Sequence, residues 1–424
     1  MQALAGDDLR GRKCGSADEN AAARYLAASF QTLGIRGGLP DGGYLQPVQL
    51  LTPTYAAPPT LDVTGGAGAA LHLVNGRDMV LQGAAPAILN APLIRAVDAR
   101  PPFEGLQAKV VIFDGGPNMA IAATLQRVGA AAVVVTAPDL VLRNWDELAR
   151  RGPDPTEVVG GVKRGSTSPT SPLVFVRAET LAALVALADG HAQLAAPRGE
   201  PLARTTYNVI GARHGTARDA DRQVVLLSAH YDHLGVRDGV IFHGANDDAS
   251  GTAAVMEFAR ILAKSPARRR TAYFALFGCE EEGLLGAQLF LGHTPPQIGG
   301  LVANLEFEMI GVDDPKHPGF LMLTGWDRSD LGPAMAAHGA RIGPDPYPEQ
   351  HFFQRSDNYQ LALQGVIAHT VSAWPLPPTY HAATDDLAHV DLAFMDRVIG
   401  SMVAPVGWLL DSDFAPAWNP GQKP

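Results

Sequence analysis

The chain has 424 residues, which is long for one ordinary domain and predicts two. A hydrophobic content of 46% and a charged content of 18% are typical of a globular protein that buries a core. The formal net charge of -10 argues against nucleic acid or an anionic membrane surface as the main partner. No apolar run approaches about eighteen residues, so the sequence predicts no membrane span.

The first residues, MQALAGDDLRGR, lack the apolar core of a signal segment. We therefore expect a cytosolic protein, or one whose signal was removed before this numbering begins. Two cysteines, Cys14 and Cys279, are too few for a disulfide framework, and we expect them to be buried or free thiols. They leave the redox compartment open.

Near the start of the chain, residues 16–34 predict a helix with signals at both ends. Ser16 and Glu19 have the spacing of a capping box, and Gly34 can adopt the left-handed conformation that ends a helix. Residues 35–60 are rich in Gly and Pro and have little periodicity. We interpret them as connecting structure.

From about residue 60 to 200, short apolar runs alternate with Gly and Pro turns. The predicted strands are 70–74, 110–113, 131–135 and 173–176, and the predicted helices are 120–128 and 180–188. The polar stretch 143–170 predicts an exposed loop. Because this region has no His, Cys, Asp or Glu cluster with ligand spacing, we interpret it as a small β-rich domain without chemistry of its own.

From residue 208 onward, strand, loop and helix alternate in the pattern typical of an α/β sheet. The predicted strands are 224–227, 273–277, 301–305 and 365–370. The predicted helices are 250–263, 330–338 and 391–410. The candidate functional residues all fall in this half of the chain.

Three segments place acidic or imidazole side chains after apolar runs: AHYDHLG at 229–235, HGANDDASG at 243–251 and FGCEEEGLLG at 277–286. Because ligands bind at the carboxyl ends of strands in open α/β sheets, we expect these side chains to meet at one edge. His230 can bind a metal while Asp232 accepts its second N–H, although a buried His paired with a carboxylate is the alternative. Asp247 can bridge two cations, one on each oxygen.

Further acidic residues follow the next two strands. Glu280 and Glu281 are adjacent, and one can bind a metal while the other acts on a water molecule. Glu308 ends the following strand. Glu306 points to the same face two residues earlier and is the alternative ligand there.

His381 follows a Pro-rich loop, with Asp385 four residues later. Taken singly, each of these candidates also fits a structural role, such as a helix cap or a solvated turn. Taken together, they supply two His, one Asp and two Glu as ligands plus one spare Glu. That set predicts a hydrolytic metal site.

The order of these motifs closely resembles peptidase family M28, a family of co-catalytic zinc metallopeptidases that includes bacterial aminopeptidases. The matching motifs are SAHYDHLG, GANDDASG, FGCEEEGLLG, FEMIG and, more loosely, YHAATDDL. The resemblance implies an α/β/α sandwich with a mixed, largely parallel central sheet, formed by residues 1–58 and 203–424. Residues 59–202 resemble a protease-associated domain, chiefly through AKVVIFDGG and RVGAAAVVVTA, which implies a small β-rich inserted domain beside the active site.

The resemblance also implies a set of residue roles. One zinc is held by His230, Asp247 and Glu308, and a second by Asp247, Glu281 and His381. Glu280 is then the general base, Tyr380 steadies the oxyanion, Asp232 and Asp385 are partners of the two His ligands, and Arg355 lies near the substrate. The peptide bond between Asp247 and Asp248 is expected to be cis.

Two departures from the family pattern occur at these positions. Glu308 stands where the family usually has Asp, and Ala382 follows the last His where the family usually has Thr. Neither removes a ligand.

The function implied by the resemblance is a di-zinc exopeptidase that hydrolyses the N-terminal peptide bond of peptides. A carboxypeptidase or dipeptidase of the same fold is an alternative, and it would need a cation such as Arg355 for the terminal carboxylate. A single-zinc glutaminyl-peptide cyclotransferase is another, although the complete ligand set argues against it. The expected substrates are peptides. The implied location is secreted or periplasmic, with a cytoplasmic location still open, and the sequence does not specify an oligomeric state.

Overall fold

The computed structural model describes residues 1–97, 105–161, 171–293, 300–374 and 376–424. The chain forms two compact units. The first contains Met1–Gln49, Val158–Val162 and Arg204–Pro424, and the second contains Leu50–Glu157 and Lys163–Ala203. Each unit has its own sheet and its own core.

The strands, in chain order, are β1 (Arg36–Gly37), β2 (Leu45–Thr52), β3 (Thr60–Thr64), β4 (Ala70–Val74), β5 (Met79–Gln82), β6 (Ile88–Ala96), β7 (Val110–Phe113), β8 (Ala132–Thr136), β9 (Glu157–Val158), β10 (Leu173–Val176), β11 (His191–Ala195), β12 (Leu202–Arg213), β13 (Val224–His230), β14 (Gly235–Arg237), β15 (Val240–Phe242), β16 (Thr271–Phe277), β17 (Leu301–Phe307), β18 (Leu321–Leu323), β19 (Ile342–Pro344) and β20 (Ala368–Ser372).

The helices, in chain order, are α1 (Ala17–Thr32), α2 (Met119–Arg127), α3 (Asp139–Arg143), α4 (Trp145–Ala149), α5 (Ala178–Val185), α6 (Gly251–Lys264), α7 (Leu285–Gly292), α8 (Leu331–Ala337), α9 (Asn358–Leu363) and α10 (Leu392–Asp411). Short helical turns lie at Asp7–Leu9, Gly66–Gly68, Ala220–Arg222, Ala245–Ser250, Trp326–Arg328, Pro348–Gln350, Phe352–Gln354 and Leu387–His389.

Strand β13 lies near the middle of the large sheet, with the parallel strands β16 and β17 on either side. Within the described residues the order of this ten-stranded sheet is β19-β18-β20-β17-β13-β16-β12-β2-β9, and β1 pairs with β12. The β12–β16 and β18–β20 pairs are antiparallel. The sheet is therefore mixed, with a parallel centre, as predicted.

Alternate residues of β13 face two different layers of helices. Val225 and Leu227 pack in one core cluster with Phe258 of α6. Val224 and Leu226 pack in another cluster with Phe290 of α7. Since successive strand side chains point to opposite faces, the sheet is covered on both sides, and this unit is the predicted α/β/α sandwich.

Helix α1 follows the signals in its sequence. The hydroxyl of Ser16 accepts a hydrogen bond from the Glu19 N–H at 3.1 Å, which caps the first turn. Gly34, just beyond the helix, has a φ of 76°. Leu26 and Phe30 lie on the buried face and anchor the helix to the sheet.

The second unit contains an eight-stranded sheet in the order β4-β3-β11-β6-β7-β8-β10-β5. Strands β7 and β10 have the predicted bounds, and α2 begins after Asn118, whose side chain accepts a hydrogen bond from the Ile121 N–H at 3.1 Å. This unit begins at Leu50, before the predicted 59–202 segment, and Val158–Val162 within that segment belong to the first unit. Its assignment as a protease-associated domain stays a prediction.

Two stretches predicted to be irregular contain regular structure. Residues 35–60 include β2, in which Gln46, Val48 and Leu50 are buried and alternate with exposed neighbours around Pro47. Residues 143–170 include α4, where Trp145 is buried and its Nε1–H donates to the Gly76 carbonyl at 2.7 Å. Both predictions were wrong because they relied on the Gly, Pro and polar composition of these stretches. The alternation of buried residues in β2 and the tertiary burial of Trp145 determine the structure instead. Residues 162–170 of the predicted loop lie outside the described residues.

Helix α10 is long and apolar enough to cross a membrane by length and composition. Half of this stretch is buried inside the protein, and Phe394 and Met402 belong to the core of the first unit. A core helix passes the same test, so the finding is weak evidence for a membrane span.

Candidate metal centre

Neighbouring strands of the large sheet bring the predicted site residues to one edge. Strand β13 ends at His230, β17 ends directly before Glu308, and β16 ends three residues before Glu280. Asp247 lies in the turn before α6, and His381 lies in the loop after β20. The carboxyl ends of the parallel strands therefore meet where α/β folds bind ligands.

Asp247 lies between two histidines. Its Oδ1 is 3.3 Å from His230 Nε2, and its Oδ2 is 3.2 Å from His381 Nε2. His381 Nε2 is also 3.1 Å from Glu281 Oε2. The two oxygens of one carboxylate thus face two different groups of donors.

Two groups of three residues in the described chain could each hold a metal ion, because the donor atoms within each group lie within 4.8 Å of one another. One group is His230, Asp247 and Glu308, and the other is His233, Asp247 and Glu281. We call His230, Asp247 and Glu308 the first subsite, and Asp247, Glu281 and His381 the second subsite. His233 beside the second subsite was not among the predicted residues.

The donors fit a zinc ion. Imidazole nitrogens and carboxylate oxygens are the zinc ligands of hydrolytic sites, where three protein ligands leave one position open. Both ring nitrogens of His230 are buried and have no hydrogen-bond partner among the described residues. Buried polar groups almost always have one, and a cation would supply the missing partner.

The two carboxylates predicted to be partners of the histidines both accept hydrogen bonds from the backbone. Asp232 Oδ1 lies 3.6 Å from His230 Nδ1, longer than a hydrogen bond, and accepts one from the Glu280 N–H at 2.9 Å. Asp385 accepts from the N–H groups of Asn246 at 2.8 Å and Asp247 at 3.1 Å. Within the described chain it has no hydrogen bond to His381, so each carboxylate fixes the loop that carries a ligand.

The turn that carries Asp247 has the expected cis peptide bond to Asp248. Asp248 Oδ1 accepts hydrogen bonds from the N–H groups of Gly251 at 2.9 Å and Met309 at 3.1 Å. Asp248 therefore connects the start of α6 to the loop after Glu308 and is turned to the backbone, while Asp247 is turned to the donors.

The adjacent glutamates have opposite electrostatic surroundings. Burial raises the pKa of Glu280 well above its usual range, and the charges of Glu308 and Glu281 add to this while His230 opposes it. Burial and Asp247 also disfavour the charge of Glu281, but contacts with His233 and His381 lower its pKa to about 2. Titratable neighbours with divergent pKa values are typical of an acid or base beside a permanent charge.

The remaining donors are held in charged form by each other. Burial alone would raise the pKa of Asp247, but His230 and His381 hold it well below its usual range. Burial alone would lower the pKa of His381, yet Asp247 and Glu281 raise it to about 10. Without a metal, the histidine cations therefore offset the carboxylate charges, and a bound metal would take the place of their protons because ligating imidazoles are neutral.

Glu308, and not Glu306, belongs to the first subsite. Glu306 is fully buried and accepts a hydrogen bond from the backbone N–H of Asn358. Burial raises the pKa of Glu306 well above its usual range, with Asp357 and Glu308 adding to the effect. Glu306 therefore lies one pleat before Glu308 and contacts the start of α9.

Tyr380 and Arg355 lie at the open side of the site. The Tyr380 ring stacks on His381 with centroids 3.9 Å apart, and its hydroxyl lies 3.5 Å from Arg355 Nη2. Both residues line a small cavity together with Glu308 and Met309.

The two cysteines, expected to be thiols, form a disulfide bond between Cys14 and Cys279. The bond ties the segment before α1 to the loop that carries Glu280. Glu19 of α1 strengthens the connection, because its carboxylate accepts hydrogen bonds from the N–H groups of Gly15 at 2.6 Å and Cys279 at 3.2 Å. The expectation of unpaired cysteines was wrong because a pairing across 265 residues has no local signal.

Arg12 is a fully buried cation beneath the site that the sequence did not single out. Its guanidinium donates to the carbonyls of Tyr231 at 2.5 Å, His243 at 2.8 Å and Gly244 at 3.0 Å. It therefore joins the segment after His230 to the start of the Asp247 turn. Its GRKCG context is visible in the sequence, but burial is not.

An α/β/α sandwich with shared His and carboxylate donors at the carboxyl edge of its sheet is typical of metal-dependent hydrolases. Residues 208–405 match the model of Peptidase family M28.

Curated relatives share parts of the sequence. Aminopeptidase YwaD of Bacillus subtilis is 31% identical over 110 residues, covering 26% of this chain and 23% of the relative. The probable lipoprotein aminopeptidase LpqL of Mycobacterium tuberculosis is 26% identical over 214 residues, covering 42% and 40%. An aminopeptidase of Pseudomonas aeruginosa is 34% identical over 128 residues, covering 30% and 22%. The matched stretches thus span less than half of these relatives.

Solved structures share the whole fold. An aminopeptidase from Aneurinibacillus sp. strain AM-1 superposes with a TM-score of 0.62 at 21% identity, covering 99% of this chain and 94% of that chain. BSAP, a zinc aminopeptidase from Bacillus subtilis, superposes with a TM-score of 0.58 at 20% identity, covering 98% and 94%. At this identity the likeness concerns the fold.

Proposed function

We propose that the chain is a zinc-dependent aminopeptidase that removes N-terminal residues from peptides. One observation carries the proposal: Asp247 joins two groups of His and carboxylate donors at the sheet edge, directly beside Glu280. The names of the relatives and the match to Peptidase family M28 support the same activity.

Two zinc ions per chain suit this donor set. His230 and Glu308 would hold one with Asp247 Oδ1, and His381 and Glu281 would hold the other with Asp247 Oδ2. Each subsite then has three protein ligands and an open position, as in catalytic zinc sites. A zinc pair bound here would lower the pKa of a water molecule and polarise the scissile carbonyl.

Glu280 is proposed as the general base. Its Oε2 lies 3.9 Å from His230 Nε2, close to the donors without belonging to either subsite. Burial raises its pKa well above its usual range, which suits a group that takes a proton from water and returns it to the leaving amine.

The substrate would be held by its free amine. Glu308 lines the cavity and Glu280 lies 3.9 Å from His230 Nε2, and beside a bound metal their ionised carboxylates would attract an ammonium group. Tyr380 is proposed to donate its hydroxyl to the developing oxyanion. Burial raises the pKa of Tyr380, so the hydroxyl keeps its proton for this role.

The test combines metal analysis with a peptide panel. After mild dialysis the protein should contain close to two zinc ions per chain. Peptides with a free N-terminus should be shortened from that end, and N-acetylated copies should be resistant because they lack the ammonium group. Hydrolysis of acetylated peptides at equal rates would refute an aminopeptidase.

A carboxypeptidase is a second candidate because of Arg355. Its guanidinium lines the cavity with Glu308 and lies 3.5 Å from the Tyr380 hydroxyl, so it could bind a terminal carboxylate. Peptides with an amidated C-terminus separate the two functions. An aminopeptidase cleaves them normally, whereas a carboxypeptidase does not.

The second unit is proposed to be a protease-associated domain without catalytic residues. The proposed location is outside the cytoplasm, in keeping with the disulfide and with a relative named a lipoprotein.

A further inference from the structure

His233 is a fully buried residue that contacts the second subsite. Its Nδ1 lies 2.8 Å from Glu281 Oε1 and 3.9 Å from Asp247 Oδ2. The shorter contact has the distance of a hydrogen bond, although the two groups are not aligned as one. Three residues after His230, His233 has no role in the function proposed above.

The two oxygens of Glu281 face different partners. Oε2 lies 3.1 Å from His381 Nε2, which is itself 3.2 Å from Asp247 Oδ2. Oε1 faces His233. One oxygen of Glu281 is therefore directed to the second subsite, and the other is available to a donor that fixes the plane of the carboxylate.

The ring of His233 is held in this position by its surroundings. The backbone N–H of His233 donates to the Arg12 carbonyl at 3.3 Å, and Arg12 Nη2 donates to the Gly244 carbonyl at 3.0 Å. Gly244 has a φ of 59°, and a Cβ on it would lie 2.4 Å from His233 Cγ. Glycine at this position lets the chain pass against the ring, which leaves the ring no room to turn on that side.

We propose that His233 is a positioning residue whose Nδ1–H holds Glu281 Oε1, so that Oε2 is oriented to bind zinc. The inference rests on the proposed zinc centre. Direct ligation by His233 is the competing role, but its Nδ1 is 3.9 Å from Asp247 Oδ2, farther than His381 Nε2 is from the same atom.

The test is a zinc titration of the metal-stripped full-length protein against a chelating indicator. Two variants are compared with the wild type: His233→Leu fills the space without a donor, and His233→Asn keeps an N–H near the place of Nδ1. Loss of an indirect partner of a zinc ligand typically weakens binding by about 10–100-fold. We expect His233→Leu to weaken one zinc by this factor and leave the other unchanged, and His233→Asn to restore most of the affinity.

His369→Leu is the matched control. His369 is equally buried but bonded to Ser329 and the Thr324 carbonyl, so its loss should lower stability without changing either zinc affinity. Should His233→Leu fail to fold, His233→Phe keeps a buried aromatic ring without a donor. It should produce the same selective loss of zinc.

Three results would overturn the positioning role. The first is unchanged zinc affinity in His233→Leu. The second is a loss in His233→Asn as large as in His233→Leu. The third is a changed visible absorption of cobalt-substituted His233→Asn, which would make His233 a ligand. If the wild type binds one zinc ion per chain, the two-zinc proposal fails on its own. The positioning role of His233 would then be tested by the effect of His233→Leu on the affinity for that one ion.

Discussion

The carboxylate of Asp232 accepts a hydrogen bond from the backbone N–H of Glu280 at 2.9 Å. Its second oxygen lies 3.4 Å from the Glu281 N–H. Since Asp232 lies two residues after His230, the last residue of β13, one side chain sets the distance between the first histidine and the two glutamates. The H-x-D and Glu-Glu motifs are thus one structural unit, although 48 residues separate Asp232 from Glu280.

Replacing Glu280 with Gln should lower kcat by about 10²–10⁴-fold, because the amide keeps the shape of the side chain but cannot accept a proton. Zinc content should not change, since Glu280 is not a proposed ligand. Steady-state kinetics and metal analysis check both points, with Glu281→Gln as the comparison that should lose zinc. Zinc loss in Glu280→Gln would mean that the two glutamates have exchanged or share their roles.

Replacing Glu308 with Ala should remove zinc from the first subsite and leave the second partly occupied, because Glu308 completes the donor set of His230 and Asp247. Glu306→Ala should instead lower stability with little effect on metal, since Glu306 is buried against the Asn358 N–H. Calorimetry and zinc titration of both variants distinguish the roles. The opposite pattern would move the ligand assignment to Glu306.

His369 should make stability depend on pH on the acidic side. Burial lowers the pKa of His369 from 6.5 to about 4, so between these values the unfolded state binds a proton that the folded state does not. Stability should therefore fall as the pH drops from about 6.5 to 4, by roughly 3 kcal/mol from this group. Urea unfolding at several pH values should show a smaller fall for His369→Gln. An equal fall would assign the dependence to other groups.

Removing the disulfide should destabilise the first unit. Cys14 and Cys279 are separated by 265 residues, and long closed loops lose the most chain entropy in the unfolded state. The Cys14→Ala, Cys279→Ala double variant should lose about 2–5 kcal/mol of unfolding free energy. Denaturant unfolding without reductant measures this loss. Adding reductant should lower the stability of the wild type and leave the variant unchanged.

Much of the site could be predicted because strand ends are visible in sequence. Apolar runs of the expected length end beside His230, Glu280 and Glu308, and parallel strands bring such ends together. The order of motifs then gave Asp247 and His381, which lie on loops. These five side chains and Glu281 meet in the structure.

The missed residues are ones whose roles depend on burial and distant contacts. His233 follows an H-x-D pair, and only the packing of Gly244 and Arg12 shows that its ring is held beside Glu281. Trp145 lies in a polar stretch, and its hydrogen-bond partner, the Gly76 carbonyl, is far away in sequence. Short-range periodicity does not contain this information.

The Cys14–Cys279 bond also changes what a cut in the chain would do. It closes a covalent ring that contains every residue of the second unit, because Leu50–Ala203 lie between the two cysteines. A single cleavage in that unit opens the ring without releasing a fragment. Nicked protein would migrate as one species without reductant and as two with it, and helix α1 would stay attached to the loop that carries Glu280.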